Sequence, residues 1–205
     1  MNSKPSNFPL SRKSIRLPGY DYSTPGGYFI TVVTFRRESL FGEISGSEMK
    51  LSPIGEIVRR EWFKTAELRP YVELREGEFV VMPNHAHGII WIIDNDPGGI
   101  VEARRRRAPT VSDTTSEQFS KPIKGSIPTI VRAFKSAVTY CAGRELNAAN
   151  LWQKNYFEHI IRDTPDYERI ANYIAQNLEN WLADDENPGV LQIETWKKVV
   201  MDRSG

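Results

Sequence analysis

Two histidines separated by one small apolar residue are the side chains of this sequence best suited to chemistry. His85 and His87 lie within residues 79–93, an apolar run that is typical of a β-strand. Side chains two positions apart on a strand point to the same side, about 6–7 Å apart along it. That spacing suits the chelation of one metal ion. The alternative is a buried strand that happens to carry two histidines, although buried imidazoles need polar partners.

The third histidine of the chain, His159, lies close to a tyrosine. We predict a helix from about residue 155 to the residue before Thr164, in which Tyr156 and His159 share a face because they are three positions apart. If this face meets the histidine strand, His159 could complete the coordination of a metal held by His85 and His87.

A tyrosine beside a metal suggests cleavage of a phosphodiester. A free phenol has a pKa near 10 and is a poor nucleophile at neutral pH. It can attack a phosphate whose charge a divalent metal neutralises. Attack by Tyr156 would give a phosphotyrosine bond, which keeps the linkage available for rejoining. The alternative is hydrolysis by water, with Tyr156 only donating a hydrogen bond.

Composition limits the class of protein. The 205 residues are 40% hydrophobic and 11% aromatic, which is typical of one globular domain, and the net charge of +1 gives no overall preference for nucleic acid. Cys141 is the only cysteine, so no intramolecular disulfide can form. No apolar run is long enough to span a membrane, and the first residues do not resemble a signal peptide. We therefore expect a cytoplasmic protein.

Basic residues are concentrated in a few places that could contact DNA. Residues 1–25 form a basic arm in which positive charges alternate with tyrosines, a composition suited to phosphates and bases. Residues 95–127 form a linker with four consecutive arginines at 104–107. A solvated arm and a solvated charge run are the alternatives. The candidate DNA-binding residues are Arg12, Lys13, Arg16, Tyr20, Tyr22, Arg132, Lys135 and Lys154.

The hydrophobic pattern predicts an α+β domain. Residues 27–35 are β-branched and aromatic and predict a strand, and Ser52 followed by Pro53 begins a helix. A hairpin joins residues 71–74 to the histidine strand. A further helix begins at Pro128, and Thr164 with Pro165 begins the last one. The order of elements predicts an antiparallel sheet with helices packed on it.

Several segments together resemble a known family. His85, Ala86 and His87 have the His-hydrophobe-His form of the HUH single-strand endonucleases. The surrounding residues resemble the single-tyrosine transposases, specifically the bacterial REP-associated tyrosine transposases. The segments that carry the resemblance are residues 16–22, 41–43, 82–88, 152–163 and 173–177.

The resemblance implies a fold and an activity. The fold would be a ferredoxin-like antiparallel sheet with helices on one face, and the activity transposition through cleavage of single-stranded hairpin DNA. The metal would be Mg or Mn. His85 and His87 would be ligands, Tyr156 the nucleophile and His159 the third ligand. Because Phe157 stands where some relatives have the tyrosine, the alternative is a catalytically impaired, domesticated protein that binds hairpin DNA.

The resemblance also divides the chain. Residues 26–94 and 128–182 would form one catalytic domain, interrupted by the linker at 95–127 and flanked by the arm at 1–25 and a tail at 183–205. The expected partner is single-stranded or hairpin DNA at the nucleoid, without membrane contact. Both halves of the site lie on one chain, which permits a monomer or a homodimer.

Overall fold

The computed structural model of the protein describes residues 17, 20–46, 48–93 and 123–181. Arg12, Lys13 and Arg16, the arginines at 104–107 and the tail at 183–205 lie outside these residues. The predicted linker also lies outside them up to residue 122. Its last residues are described, and Ile127 is the first residue of a helix and is fully buried.

One antiparallel sheet forms the centre of the fold. Its middle strands are β1 (Gly26–Val33) and β6 (His85–Ile92), which pair along their whole length. Strand β7 (Phe157–Ile161) pairs with the other side of β1. Two short strands, β4 (Val72–Glu73) and β5 (Phe79–Val81), pair with opposite ends of β6. The order β4–β6–β1–β7 places the first residues of β6 beside the last residues of β1.

Three helices cover the sheet in the described ranges. Helix α1 (Pro53–Glu67) follows β1 after a small hairpin of β2 (Gly42–Ser45) and β3 (Glu48–Leu51), and α2 (Ile127–Leu146) precedes β7. Helix α3 (Thr164–Gln176) follows β7. Ser52 caps α1 as predicted, because its hydroxyl accepts a hydrogen bond from the Gly55 amide. For α3 the cap is Asp163 rather than Thr164, since its carboxylate accepts from the Asp166 amide.

The connections confirm the ferredoxin-like prediction. A helix separates β1 from β4, a second separates β6 from β7, and all neighbouring strands are antiparallel. Helices α1 and α2 pack on one face, over a core that includes Tyr28, Ile30 and Ile90. The prediction placed all helices on one face of the sheet, and helix α3 differs from it. It packs on the opposite face, where Ile170 and Ile174 meet Phe29 and Ile89.

Gly88 lets α1 approach the histidine strand closely. A Cβ on this glycine would lie 2.4 Å from the Cζ2 atom of Trp62 on α1, well inside contact distance. Trp62 in turn stacks on Phe79 with a centroid distance of 4.6 Å. Because Gly88 has no side chain, Trp62 of α1 can pack directly against the strand on the face opposite the histidines.

Two predicted elements were wrong. The helix predicted to begin near residue 155 is replaced in the structure by strand β7, because residues 157–161 pair in register with β1. The continuous strand predicted over residues 79–93 is a hairpin, in which Met82 donates its amide proton to the His85 carbonyl oxygen at 2.8 Å. Pro83 lies in this turn, consistent with its inability to donate in a ladder.

Candidate active site

The two histidines lie side by side at the beginning of β6. Their ring centroids are 4.4 Å apart, and both side chains are buried. They face the side of the sheet that α3 covers, because His87 lies opposite Thr31 and Ile89 opposite Phe29 on β1. The predicted placement of both imidazoles on one side of one strand is confirmed.

Asn84 fixes the orientation of the His85 ring. Its amide nitrogen donates to the carbonyl oxygen of Arg37 at 3.2 Å, so its amide oxygen must be the atom 2.9 Å from Nδ1 of His85. An amide oxygen can only accept, and Nδ1 therefore carries the proton. The lone pair of His85 is then on Nε2, the nitrogen that can bind a metal. Asn84 thus acts on the site by orienting the His85 ring.

Thr31 and Phe29 hold the His87 ring from neighbouring positions on β1. The Thr31 hydroxyl lies 2.8 Å from Nδ1 of His87, and the Phe29 ring stacks on the imidazole at 5.4 Å between centroids. Burial, and secondarily the neighbouring His85, lowers the pKa of His87 well below its usual value. The ring is therefore neutral at neutral pH, which is the form that coordinates metals.

A tyrosine meets this pair, and it is Tyr173 on α3. Its hydroxyl lies 3.2 Å from Nε2 of His87, and its ring packs edge-on against the imidazole at 5.1 Å. If Nδ1 of His87 donates to Thr31, Nε2 accepts the proton of the phenol. Tyr173 is 42% exposed, although the histidines are buried.

Asn177 and Trp181 follow Tyr173 at intervals of four residues and continue the same face of the helical segment. The Trp181 ring lies 5.8 Å from that of His85. Asn177 is 1% exposed, and neither atom of its amide group has a hydrogen-bond partner within the described part of the chain. An unsatisfied buried amide costs about 1–3 kcal/mol, so its presence needs a reason.

This group of residues contains donor types that could hold a divalent metal. Two imidazole nitrogens and an amide oxygen from Asn177 would provide three neutral ligands. No cluster of three or more His, Cys, Asp or Glu side chains suited to a metal occurs among the described residues, so the third protein ligand would have to be of another type. Phosphate oxygens of a nucleic acid would supply hard ligands that make Mg²⁺ or Mn²⁺ acceptable.

His159 is not placed as the third ligand. It lies opposite Phe29 on β7, two strands and about 10 Å from β6 across the sheet. Its Nε2 atom is 2.8 Å from a carboxylate oxygen of Asp166, at the beginning of α3. The prediction required a helix at this position, and the strand directs His159 to the helix that follows it.

Tyr156 is separated from the histidine pair by the sheet. It precedes β7 and packs against the large core between the sheet and helices α1 and α2, as does Ile160 four residues later. The histidines face α3 on the opposite side. On a strand Tyr156 and His159 point to different sides, so the shared face predicted for them does not exist. The structure thus contradicts the assignment of Tyr156 to the site.

The described residues predicted to bind DNA differ in their surroundings. Tyr22 is 2% exposed and its hydroxyl accepts from the Leu17 amide, so it is a core residue that cannot stack on bases. Tyr20 packs beside it. Lys135 donates to the carbonyl oxygen of Gln153 at 2.7 Å, and burial lowers its pKa to about 8. These three residues support the fold.

Arg132 on α2 and Lys154 in the segment before β7 remain exposed. Their predicted contact with DNA stays a prediction.

Sequence reasoning missed Tyr173 and Asn177 as site residues, although a signal was present. Residues 173–177 were among the segments that carry the family resemblance, and the two residues are four apart on a predicted helix. A tyrosine and an amide sharing one helix face could have been paired with the histidines. The role of nucleophile was assigned instead to Tyr156, because it lies close to His159 in the sequence.

Comparisons with known proteins identify one relative of similar length. An uncharacterized protein from Haemophilus influenzae is 39% identical over 173 residues, which cover 84% of this chain and 91% of that protein. No protein-family model matches the chain.

Two solved structures resemble the chain more remotely. A REP-associated tyrosine transposase bound to a REP hairpin has a TM-score of 0.49 and 24% identity, covering 79% of this chain and 71% of that one. A candidate transposase from Deinococcus radiodurans has a TM-score of 0.38 and 16% identity, covering 80% and 96%. Both similarities are too remote to assign an activity.

Among the described residues, no helix combines the length and the apolar character needed to cross a bilayer.

Proposed function

We propose that this protein, which belongs to the same family as the uncharacterized Haemophilus influenzae protein, is a metal-dependent DNA endonuclease. It would also be a strand-transferase, of the REP-associated tyrosine transposase type. Its nucleophile would be Tyr173, and its substrate single-stranded hairpin DNA. The substrate and the transposition reaction follow from the resemblance of the sequence segments given above. The nucleophile follows from the position of α3.

The contact between Tyr173 and His87 carries the proposal. A phenol 3.2 Å from a buried neutral imidazole, with a second imidazole ring 4.4 Å from the first between centroids, combines a nucleophile with a nitrogen pair able to bind a metal. A tyrosine required only for packing would not need its hydroxyl on the ligand nitrogen. A metal at Nε2 of His87 would use the lone pair that now faces the phenol, so nucleophile and metal would be neighbours.

In the proposed reaction the Tyr173 oxygen attacks the phosphorus of one phosphodiester. The bond from Tyr173 to phosphorus forms, the bond from phosphorus to the 3′ oxygen breaks, and the phenolic proton is lost to solvent while the departing 3′ oxygen takes up a proton. The product is a 5′-phosphotyrosine. A bound divalent metal would neutralise the charge of the phosphate and polarise it. A 3′ hydroxyl can reverse the reaction, which accounts for strand transfer.

The surrounding residues orient the reacting groups. Asn84 and Thr31 hydrogen-bond to the Nδ1 atoms, so Nε2 is the nitrogen of each ring that would bind a metal. Asn177 would contribute its amide oxygen, which would give the buried amide a partner. Ile170 and Ile174 anchor α3 on the sheet and so position Tyr173.

Incubation of the protein with hairpin oligonucleotides and Mn²⁺ tests the proposal. We expect a covalent protein–DNA adduct that resists denaturation and that is absent with EDTA, with His85→Ala and with Tyr173→Phe. Hydrolysis by water would instead survive Tyr173→Phe and stop with His85→Ala. Binding of hairpins without any adduct from the wild type would favour a domesticated hairpin-binding protein.

A further inference from the structure

An exposed aromatic residue followed by two arginines lies just beyond the end of β1, the strand that pairs with the histidine strand. Phe35 is 41% exposed, and the guanidinium carbon of Arg36 lies 5.1 Å from its ring centroid. Arg36 and Arg37 both adopt left-handed backbone conformations, with φ of 55° and 58°. Non-glycine residues rarely adopt this conformation unless their surroundings enforce it.

The surroundings of this loop do enforce it, and they tie it to the histidines. The Thr34 hydroxyl donates to the Glu38 carbonyl oxygen at 2.7 Å and closes the loop on itself. The Arg37 carbonyl oxygen accepts from the Asn84 amide that orients His85. The loop with Phe35 and Arg36 is therefore held at a fixed position beside the candidate metal site.

A second exposed aromatic ring lies on the histidine side of the sheet. Phe157 on β7 and His87 on β6 both pair with Thr31, so the three side chains form one row across the sheet and share a side. Phe157 is 45% exposed. An apolar ring at this position has no role in the small core beneath α3, which consists of other residues.

Resting on the proposed function, we propose that Phe35 and Phe157 stack on unpaired bases of the DNA strand that enters the site, and that Arg36, Arg37 and Lys154 neutralise its phosphates. Both rings are exposed, as stacking on unpaired bases requires. Phe157 shares the partner Thr31 with His87, and the loop of Phe35 is bonded to Asn84. Arg36 and Arg37 follow Phe35 directly, Lys154 comes three residues before Phe157, and the loop carries one carboxylate, Glu38. Stacking on bases was predicted for Tyr20 and Tyr22, but both pack within the fold, so Phe35 and Phe157 are proposed for this role instead.

Single-stranded DNA is favoured over duplex because stacking needs the face of a base, and duplex bases expose only their edges in the grooves. The arrangement contains no set of side chains dedicated to one base. Phe35 and Phe157 should therefore bind strands of different sequence with similar strength.

Fluorescence anisotropy with a labelled oligothymidylate in EDTA tests binding independently of cleavage. We expect Phe35→Leu and Phe157→Leu to raise Kd roughly 5-fold or more, as expected for loss of one stacked base, while Phe35→Tyr retains wild-type affinity. Arg36→Ala should reduce the slope of log K against log salt by about 0.7, the value for one phosphate contact on a single strand. Equal melting temperatures would show that the variants fold.

Tyr140→Leu is the matched control. Tyr140 is 62% exposed and stands beside Arg144 at 5.7 Å, a similar pair of aromatic ring and arginine, but on α2 at the opposite face of the sheet. It should bind like the wild type. A wild type that does not bind the oligonucleotide, or leucine variants that bind as tightly as the wild type, would overturn the proposal. If the wild type forms no covalent adduct but the leucine variants still bind the oligonucleotide more weakly, only the proposed nucleophile chemistry is contradicted.

Discussion

At the scale of single residues, hydrogen bonds to Nδ1 determine what His85 and His87 can do. Asn84 and Thr31 occupy these nitrogens, so both rings present Nε2 toward α3. The neutral state of His87 follows from its burial. Both rings are held in fixed orientations before a cation binds, which lowers the cost of binding.

Asn177 provides the first prediction. Asn177→Leu removes a buried amide that has no hydrogen-bond partner within the described ranges, so the metal-free protein should be as stable as the wild type or more stable. The same change removes a proposed ligand, so the rise in Tm that Mn²⁺ causes in the wild type should be lost or much reduced. Thermal unfolding with and without Mn²⁺ measures both effects.

Asn180→Leu, in the exposed part of the same segment, is the control and should keep the response to the metal. An Asn177→Leu protein that is destabilised without metal, yet still gains the full wild-type increase in Tm from Mn²⁺, would exclude Asn177 as a ligand.

At the scale of elements, helix α3 is held on the sheet by polar contacts at its N-terminal end. Tyr167 donates its hydroxyl proton to buried Glu78 at 2.8 Å, and Glu78 also accepts from the indole of Trp91. Asp166 contacts His159 and the side chain of Arg169. The apolar contact beneath α3 is small, with four buried residues, so these polar contacts help to place Tyr173 over the histidines.

The Asp166 contacts predict a pH-dependent contribution to stability. The hydrogen bond with His159, supported by Arg169 and the Arg162 amide, lowers the pKa of Asp166 to about 2 from its ordinary 3.8. The folded state therefore favours the ionised form, and this stabilisation is present above the ordinary pKa and is lost as the pH falls toward 2. Asp166→Asn should cost about 1 kcal/mol at pH 7, a value reduced for solvent screening.

Urea unfolding at several pH values measures this contribution. The difference between the wild type and Asp166→Asn should decrease from about pH 4 downward, where the unfolded state takes up the proton first. Glu168→Gln, at an exposed position on the same helix, should show little effect. A difference that stays constant from pH 7 to low pH would mean that the carboxylate charge does not stabilise α3.

The success of sequence reasoning differed between elements for physical reasons. Strand β1 and helix α1 were predictable because their residues carry strong local signals, including the Ser52 cap. The segment of β7 was misread because five residues are compatible with a strand or a helical turn, and only long-range pairing with β1 decides. The tyrosine assignment depended on that element, whereas Tyr173 reaches His87 through the docking of α3, which no local pattern encodes.

At the scale of the whole molecule, the proposed nucleophile and the histidine pair lie together on one chain. Tyr173 lies 3.2 Å from His87 of the same chain. A mixture of His85→Ala and Tyr173→Phe proteins should therefore form no covalent adduct with hairpin DNA, because neither chain contains both halves of a site. Gel analysis under denaturing conditions tests this, with each variant alone as the control. Restored adduct formation in the mixture would show that a helix from one subunit serves the histidines of another.

The role of Tyr173 as nucleophile can be tested by mapping the attachment point of DNA on the wild-type protein. After nuclease trimming and trypsin digestion, mass spectrometry should locate the nucleotide on the peptide that begins at Ile170, which contains Tyr173. Tyr156 lies in a separate tryptic peptide, residues 155–162. A nucleotide on that peptide would contradict the role of Tyr173, because it would require Tyr156 to reach the histidines from the opposite side of the sheet.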